Sequence, residues 1–306
     1  MTVPITILGQ NQYGKAENRV VKITRDGATH RIKDLNVSVA LSGDLDDVHY
    51  SGSNANVLPT DTTKNTVFAF AKEHGIDSAE QFGMALARHF VDETEPIRTA
   101  RIRIEEYAWE RIATPEGEAP HSFVRQGRET RTAQITYDGT GFQVLTGLKG
   151  LTVLNSTDSE FWGYIKDRYT TLKEDYDRIL ATDVSAVWRH EWSGRDGEEA
   201  PEWQSSYESV REIMLGAFAR TYSLSLQQTL YRMGAEVIEG RPELAEIRFA
   251  MPNKHHFKVD LEPFGVKNET ADGAVYIAAD RPYGLIEATV LRDGAEALIP
   301  LDLTNL

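Results

Sequence analysis

Ahead of Arg178 the chain sets five aromatic residues, Phe161, Trp162, Tyr164, Tyr169 and Tyr176. Aromatic faces stack on flat rings, and a guanidinium presents a planar fork of donors to carbonyl or anionic edges. Together they are the minimum equipment for holding a flat, polar, anionic ring. So many aromatics in one short span are also too many for a surface loop, and a packed role is expected. A plainer arrangement fits the same residues. Were 170–180 helical, Leu172, Tyr176, Ile179 and Leu180 would form one apolar stripe, with Arg178 paired on the surface to Glu174 four residues earlier.

A second group lies in Pro252-Asn253-Lys254-His255-His256-Phe257. Residues 255–261 alternate as a strand, and period two puts Asn253 and His255 on one face with Lys254 and His256 on the other. Adjacent histidines so arranged cannot easily share a metal ion. Imidazole titrates near neutrality, so His255 is a candidate proton carrier; a hydrogen-bonded, partly buried histidine pair is the alternative. Thr60-Asp61 has the composition of a helix cap. Lys15 follows Gly14, whose missing side chain marks a turn or a close approach. Gln227 opens a helical stretch, where it would ordinarily face solvent. Local pattern alone gives Lys15, Thr60, Asp61 and Gln227 no function.

Alternating strands and amphipathic helices must position these residues. Residues 20–23 lead through Asp26-Gly27 to Leu35, Val37, Val39 and Leu41, two strands about a glycine turn. Thr60-Asp61 opens a helix that carries Val67 and Phe70 inward. Ser78 with Gln81 signs a second, carrying Phe82, Leu86 and Phe90. Strands return at 99–112 and 130–137, closing at Asp138-Gly139. Extended segments at 142–155 and 181–190, helices at 207–221 and 225–238, and strands at 245–251, 255–261 and 284–291 repeat that order. The expected fold class is α+β, with two tandem units, 1–139 and 140–306, each an antiparallel sheet with helices on one face. The other sheet faces and the edges then call for assembly with further copies.

The 306 residues carry 33 Lys and Arg against 47 Asp and Glu, a net charge of −14. Such a surface repels nucleic acid and anionic membranes, so an anionic small molecule needs a local positive site. No cysteine is present, which removes disulfides, thiolate nucleophiles, iron–sulfur clusters and thiolate zinc sites. There is no dinucleotide-binding G-x-G-x-x-G and no P-loop. No apolar run reaches membrane-spanning length, and MTVPITIL lacks the marks of a signal peptide. Thr304-Asn305-Leu306 is not the peroxisomal Ser-Lys-Leu address. A cytoplasmic location is expected, or a peroxisomal one should the source be eukaryotic.

The spacing Leu151-x-Val153-Leu154-x-Ser156-Thr157-x-Ser159-x-Phe161-xx-Tyr164-xxxx-Tyr169-xx-Leu172-xxxxx-Arg178 resembles the signature of the urate oxidases, or uricases. Tyr13-Gly14-Lys15, Thr60-Asp61-Thr62, Leu226-Gln227 and Pro252-Asn253-Lys254-His255 extend the likeness over almost the whole chain. Asn155 stands where the family usually carries lysine, and Leu226 where valine is commoner.

The resemblance implies two tunnelling-fold (T-fold) units whose sheets join those of other subunits in an oligomeric β-barrel, a homotetramer with active sites at subunit interfaces. It implies oxidation of urate by O2 and water to 5-hydroxyisourate and hydrogen peroxide, with no cofactor and no metal. It also implies a proton relay of Lys15, Thr60 and His255. Phe161, Arg178 and Gln227 would hold the purine, Thr60 and main-chain groups at Asp61 and Leu226 would complete the contacts to it, and Asn253 would lie beside the oxygen site. Fully deprotonated urate can itself give electrons to oxygen, so a base, a clamp and a dry slot suffice where most oxidases need a prosthetic group. Two competitors stay open. One is a pterin- or purine-handling lyase or hydrolase of the same fold, although its usual His/Cys zinc set or glutamate anchor has no recognisable counterpart here. The other is a purine-binding protein without turnover.

Overall fold

The computed structural model describes residues 6–195, 197–270 and 273–301; the terminal residues 1–5 and 302–306, read above for targeting signals, lie outside that set. Two compact units divide the chain. One runs through Gly147 and includes Arg189–Ser206; the other comprises Leu148–Trp188 and the chain from Tyr207 onward.

In the first unit β1 (Tyr13–Asp26) and β2 (Thr29–Gly43) form a long antiparallel hairpin that turns at Gly27, which holds φ at 57°. Glycine enters that region without steric cost, as expected of Asp-Gly. β2 pairs with β3 (Ile97–Glu106) and β3 with β6 (Thr130–Tyr137), all antiparallel, and the first part of β7 (Phe142–Asn155) follows β6. Alternation sends Leu35, Val37, Val39, Leu41, Ile102, Ile104 and Ile135 to one face. There they are buried with Val67 of α2 (Thr60–Glu73) and Phe82, Leu86 and Phe90 of α3 (Ala79–Asp92). Each such side chain contributes about 1.5–3 kcal/mol on burial. A short helix, α1 (Asp46–Tyr50), lies between β2 and α2.

Local signals set the helix starts. The Ser78 hydroxyl accepts from Gln81 N at 3.1 Å and caps α3, as its spacing predicts. Neither Thr60 nor Asp61 caps α2, contrary to expectation. The extended Pro59 occupies the cap position, with no side-chain bond, and pushes both residues into the first turn. The single strand expected at 99–112 also breaks. β3 stops at Glu106, and β4 (Trp109–Thr114) pairs with β5 (Gly117–Arg125) in a separate ribbon. Buried Asp34 draws the chain aside there, accepting from Tyr107 N on its main chain at 2.9 Å and from Trp109 Nε1 on its carboxylate at 3.0 Å.

The second unit orders the rest of β7, then β8 (Leu180–His190), β9 (Leu244–Lys258) and β10 (Tyr276–Leu291). Its core gathers Val184, Trp188, Ile247 and Phe249 from strands, Val210 and Met214 from α4 (Trp203–Arg220), and Leu230, Met233 and Val237 from α5 (Leu226–Gly240). Ser225 caps α5, accepting from Gln228 N at 3.2 Å, the same three-residue offset as Ser78 and Gln81. The two strands expected at 245–251 and 255–261 are one continuous strand, β9, which ends at Lys258.

Beneath α3, fully buried Glu80 accepts from Arg131 Nη2 at 2.7 Å and from Thr146 Oγ1 at 2.8 Å, while Arg131 also donates to Gln204 at 2.5 Å. Removing one partner of a buried pair leaves the other charge desolvated, so Glu80→Ala should cost about 3–5 kcal/mol. Urea denaturation is the check: the midpoint should fall at unchanged slope. A loss below about 1 kcal/mol would show that the partners Arg131 keeps, Gln204 and Glu106 among them, satisfy it without Glu80.

Candidate active site

Residues 156–179 link β7 to β8 without helix or strand, so the helical Glu174–Arg178 surface pair does not exist. Order comes instead from two short bridges, Ser159 beside Ser223 and Phe161 opposite Asp175. Phe161 N donates to Asp175 O at 2.7 Å, and Asp175 N returns the bond to Phe161 O at 3.0 Å. That closure sets Arg178 next to buried Ser159. Arg178 N donates to Ser159 O at 2.8 Å, and its Nε to Ser159 Oγ at 3.2 Å. With Nε occupied, the terminal fork of the guanidinium remains for a ligand. Its Cζ lies 5.2 Å from the centre of the Phe161 ring, which in turn stacks on Tyr164 at 4.9 Å and 14°.

The remaining aromatics depart from expectation. Trp162, Tyr169 and Tyr176 are 51%, 70% and 60% exposed within the chain. They pack against their own loop: Trp162 stacks on Tyr176 at 6.2 Å, Trp162 Nε1 donates to Glu160 at 2.6 Å, and Tyr176 OH to Glu174 at 3.2 Å. Aromatic content alone therefore did not mark burial; satisfied polar tips let these rings stay at the surface.

α5 and β9 bring the other side chains of this unit. Leu226 and Gln227 occupy the first turn of α5, whose leading N–H groups have no intrahelical acceptor. Before it, Thr229 Oγ1 donates to Ser223 Oγ at 2.8 Å and ties the incoming loop to the helix. β9 is buried through Met251 and half-buried from there to His256. One cavity of about 880 Å³ gathers Phe161, Arg178, Leu226, Gln227, Asn253 and His255. His256, placed by alternation on the opposite face, also reaches the lining. The pairing of β9 with β10 shifts register between Ala279 and Gly284, with the extra residues on β10 opposite Lys254. Burial first, then Arg178 and His256, hold the His255 imidazole below its ordinary value. Burial opposes the Arg178 charge, with Asp175 supporting it.

Lys15, Thr60 and Asp61 are ordered within the first unit. Gly14 pairs with Ala40, and a Cβ there would sit 1.9 Å from Val39 O, so only glycine permits this approach. Register shifts between Lys15 and Asn18; buried Asn18 donates through Nδ2 to Lys15 O at 3.2 Å and to Val37 O at 2.9 Å, fixing the bulge. Tyr13 OH donates to Leu58 O at 3.1 Å and accepts from Leu58 N at 2.9 Å, strapping the entry to Thr60 onto the strand that bears Lys15. Lys64 and Asn65, and after them Lys15, hold the Asp61 carboxyl below its ordinary value.

Sequence inspection did not single out Ser159 or Tyr13, although both stand inside motifs it quoted. Their signal was a small or hydroxyl-bearing residue at fixed distance from a charged one. Asn155 donates from Nδ2 to Phe218 O at 3.1 Å near the end of α4, a structural contact at the position where the resemblance leads one to expect lysine. Among the described residues no group of three or more His, Asp or Glu is set to hold a metal ion, and no helix is long and apolar enough to cross a membrane.

The lowered His255 value has a testable origin. In an NMR titration it should protonate below the usual midpoint of about 6.5, and Arg178→Gln should raise that midpoint by removing a neighbouring cation. A midpoint that stays put would eliminate Arg178 as a cause. Because the folded value is depressed, the unfolded chain binds this proton more readily. The group's contribution to stability is complete above the unfolded value and is lost as pH falls through the folded one.

Comparison with known proteins places this arrangement in a family. The family model described as Uricase matches residues 11–136 and 144–287. The uricase of Arthrobacter globiformis is 49% identical over 295 residues, 96% of this chain and 93% of that protein. The uricase of Emericella nidulans is 37% identical over 288 residues, 92% of this chain and 96% of that one. The crystal structure of the Arthrobacter globiformis uricase superimposes with a TM-score of 0.88 at 48% identity, covering 96% of this chain and 98% of that chain. A uricase structure from Bacillus fastidious shares the fold at 24% identity, with a TM-score of 0.78 and coverage of 92% and 94%. Matched by the family model over most of its length and by close relatives nearly end to end, the chain belongs to the uricase family.

Proposed function

We propose that this chain is a urate oxidase that combines urate, O2 and water into 5-hydroxyisourate and hydrogen peroxide without a bound cofactor. The observation that carries the proposal is the single cavity containing Phe161, Arg178, Leu226, Gln227, Asn253 and His255. Its parts suit a flat anion. Phe161 offers a face, Arg178 and Gln227 forked donors and an acceptor, and the main chain at Leu226 a further edge contact. Thr60 and the main chain at Asp61 complete the contacts to the purine. Neutral His255 can accept a proton and pass it along a relay with Thr60 and Lys15. Asn253 beside His255 supplies a polar group for the oxygen site. The twice-deprotonated purine then gives two electrons to O2; protons complete peroxide, and water adds to the oxidised ring. Atoms balance with one urate, one O2 and one water.

Lys15, Thr60 and Asp61 belong to the first unit and the cavity to the second. In this proposal one copy's relay residues complete a second copy's cavity, in a homotetramer whose sheets close into β-barrels and whose tandem T-fold units divide near Gly139. Supporting it are the edge strands β1 and β10, one in each unit, and the exposed rings of Trp162, Tyr169 and Tyr176, surfaces that a partner copy would cover. The cytoplasm is its proposed compartment.

Chelator-treated protein incubated with urate in air should consume urate and release peroxide; unchanged urate rejects the proposal. Arg178→Ala should raise KM by about 10- to 100-fold, the loss of charge-assisted hydrogen bonds. Lys15→Met or Thr60→Ala should instead lower kcat by about 100-fold. Chains carrying Lys15→Met, co-expressed with chains carrying Arg178→Ala, should regain activity that neither has alone, since some interfaces then hold one intact site. No regain would put the relay and the cavity in the same copy.

A further inference from the structure

Three strands of the second unit are tied together beside the cavity by one ion pair. Lys254, between Asn253 and His255 on β9, pairs through Nζ with Asp183 of β8. Asp183 in turn accepts from Thr152 Oγ1 of β7 at 2.5 Å. The side chains of Lys254 and Asp183 are 22% and 24% exposed, so solvent screens the pair only in part. Lys254 does not line the cavity, whereas both of its neighbours do.

β9 has weak support from its other neighbour at this point. His255 pairs with Ala279 and Asn253 with Gly284, so residues 280–283 of β10 stand opposite Lys254 alone. The β9–β10 ladder is interrupted at the residue that separates two cavity side chains. A strand whose ladder is broken can slip or rotate, and a small rotation would carry Asn253 and His255 out of place. What remains on the other side is β8, which is hydrogen-bonded to β9 as its sheet neighbour and adds a side-chain link through Asp183, itself tied to β7.

We propose that the Asp183–Lys254 pair is the device that fixes Asn253 and His255 in the cavity, making Lys254 and Asp183 positioning residues for urate oxidation. This rests on the assignment of proton transfer to His255. The charged and titratable groups around His255 are Arg178 and His256, with Lys173, Glu174 and Asp175 on the cavity wall. Neither Lys254 nor Asp183 is needed to touch substrate.

The test is the double variant Asp183→Asn/Lys254→Met, which deletes the pair and leaves net charge unchanged. Its kcat should fall about 10-fold or more, the scale that misplaced catalytic groups cost, with KM for urate changed less than about 3-fold, because Phe161 and Arg178 stand on another segment. By NMR the His255 midpoint should move toward the ordinary imidazole value as its burial loosens. Lys254→Arg, which keeps the pair, should restore both. Unchanged kcat and midpoint, or Lys254→Arg behaving like the double variant, would overturn the proposal. If circular dichroism shows the double variant unfolded, Thr152→Val serves: it keeps the ion pair but frees Asp183 from β7, and it should move both readings the same way by less. No movement there overturns the proposal equally. Should the unaltered protein fail to oxidise urate, the functional assignment falls, while the His255 titration still decides whether the pair positions the imidazole.

Discussion

A guanidinium taken partly out of water stays charged only where hydrogen bonds replace hydration, and the cavity depends on how Arg178 meets that condition. Ser159 accepts from its Nε and, through the main chain, from its N, leaving the terminal nitrogens directed to whatever fills the cavity. Burial works against the charge and Asp175 supports it. An anionic ring bound there would remove the shortfall that the protein leaves. The same cation also acts on His255, where it adds to burial in favouring the neutral imidazole. In the proposed mechanism one side chain would therefore both recruit the anion and keep a proton acceptor available beside it.

The candidate site residues that strands carry sit where a ladder is interrupted. Lys15 adjoins the shift in β1 that Asn18 stabilises, and Asn253 and His255 flank the position where β10 bulges away from β9. A regular ladder would point side chains alternately to either face with no freedom to converge; a bulge re-aims them and leaves backbone groups unpaired. Each interruption is braced from outside the ladder, by Tyr13 on Leu58 in one unit and by Asp183 on Lys254 in the other. Precision at these points comes from side-chain bonds and would be lost by substitutions that leave the fold intact.

What the sequence made legible follows from the range of the forces involved. Strand alternation in β2, the Asp26-Gly27 turn and the Ser78 cap depend on neighbours within a few residues, and they appear where the pattern put them. Pro59 displaced the expected cap because its fixed dihedral outranks a hydroxyl's preference, a fact visible in the sequence but underweighted there. The course of 156–179 was not legible. Its order comes from Ser159 meeting Ser223 and Phe161 meeting Asp175, contacts across sequence distances that no local period encodes. The same holds for Lys254 and Asp183, 71 residues apart in the chain.

The charge of the chain bears on how it can recognise an anion at all. A net charge of −14 repels urate at a distance, yet at physiological ionic strength charges separated by more than about 8 Å are largely screened. On the cavity wall itself the charges are even, Arg178 and Lys173 standing with Glu174 and Asp175. Attraction by field alone would therefore be weak, and selectivity has to come from geometry. In the proposed site a stacked Phe161 face, one open guanidinium fork and the leading N–H groups of α5 at Leu226 and Gln227 would reward only a ligand that is flat and carries acceptors around its edge. An acidic protein that binds an anion this way gains discrimination against the many other anions that lack that shape.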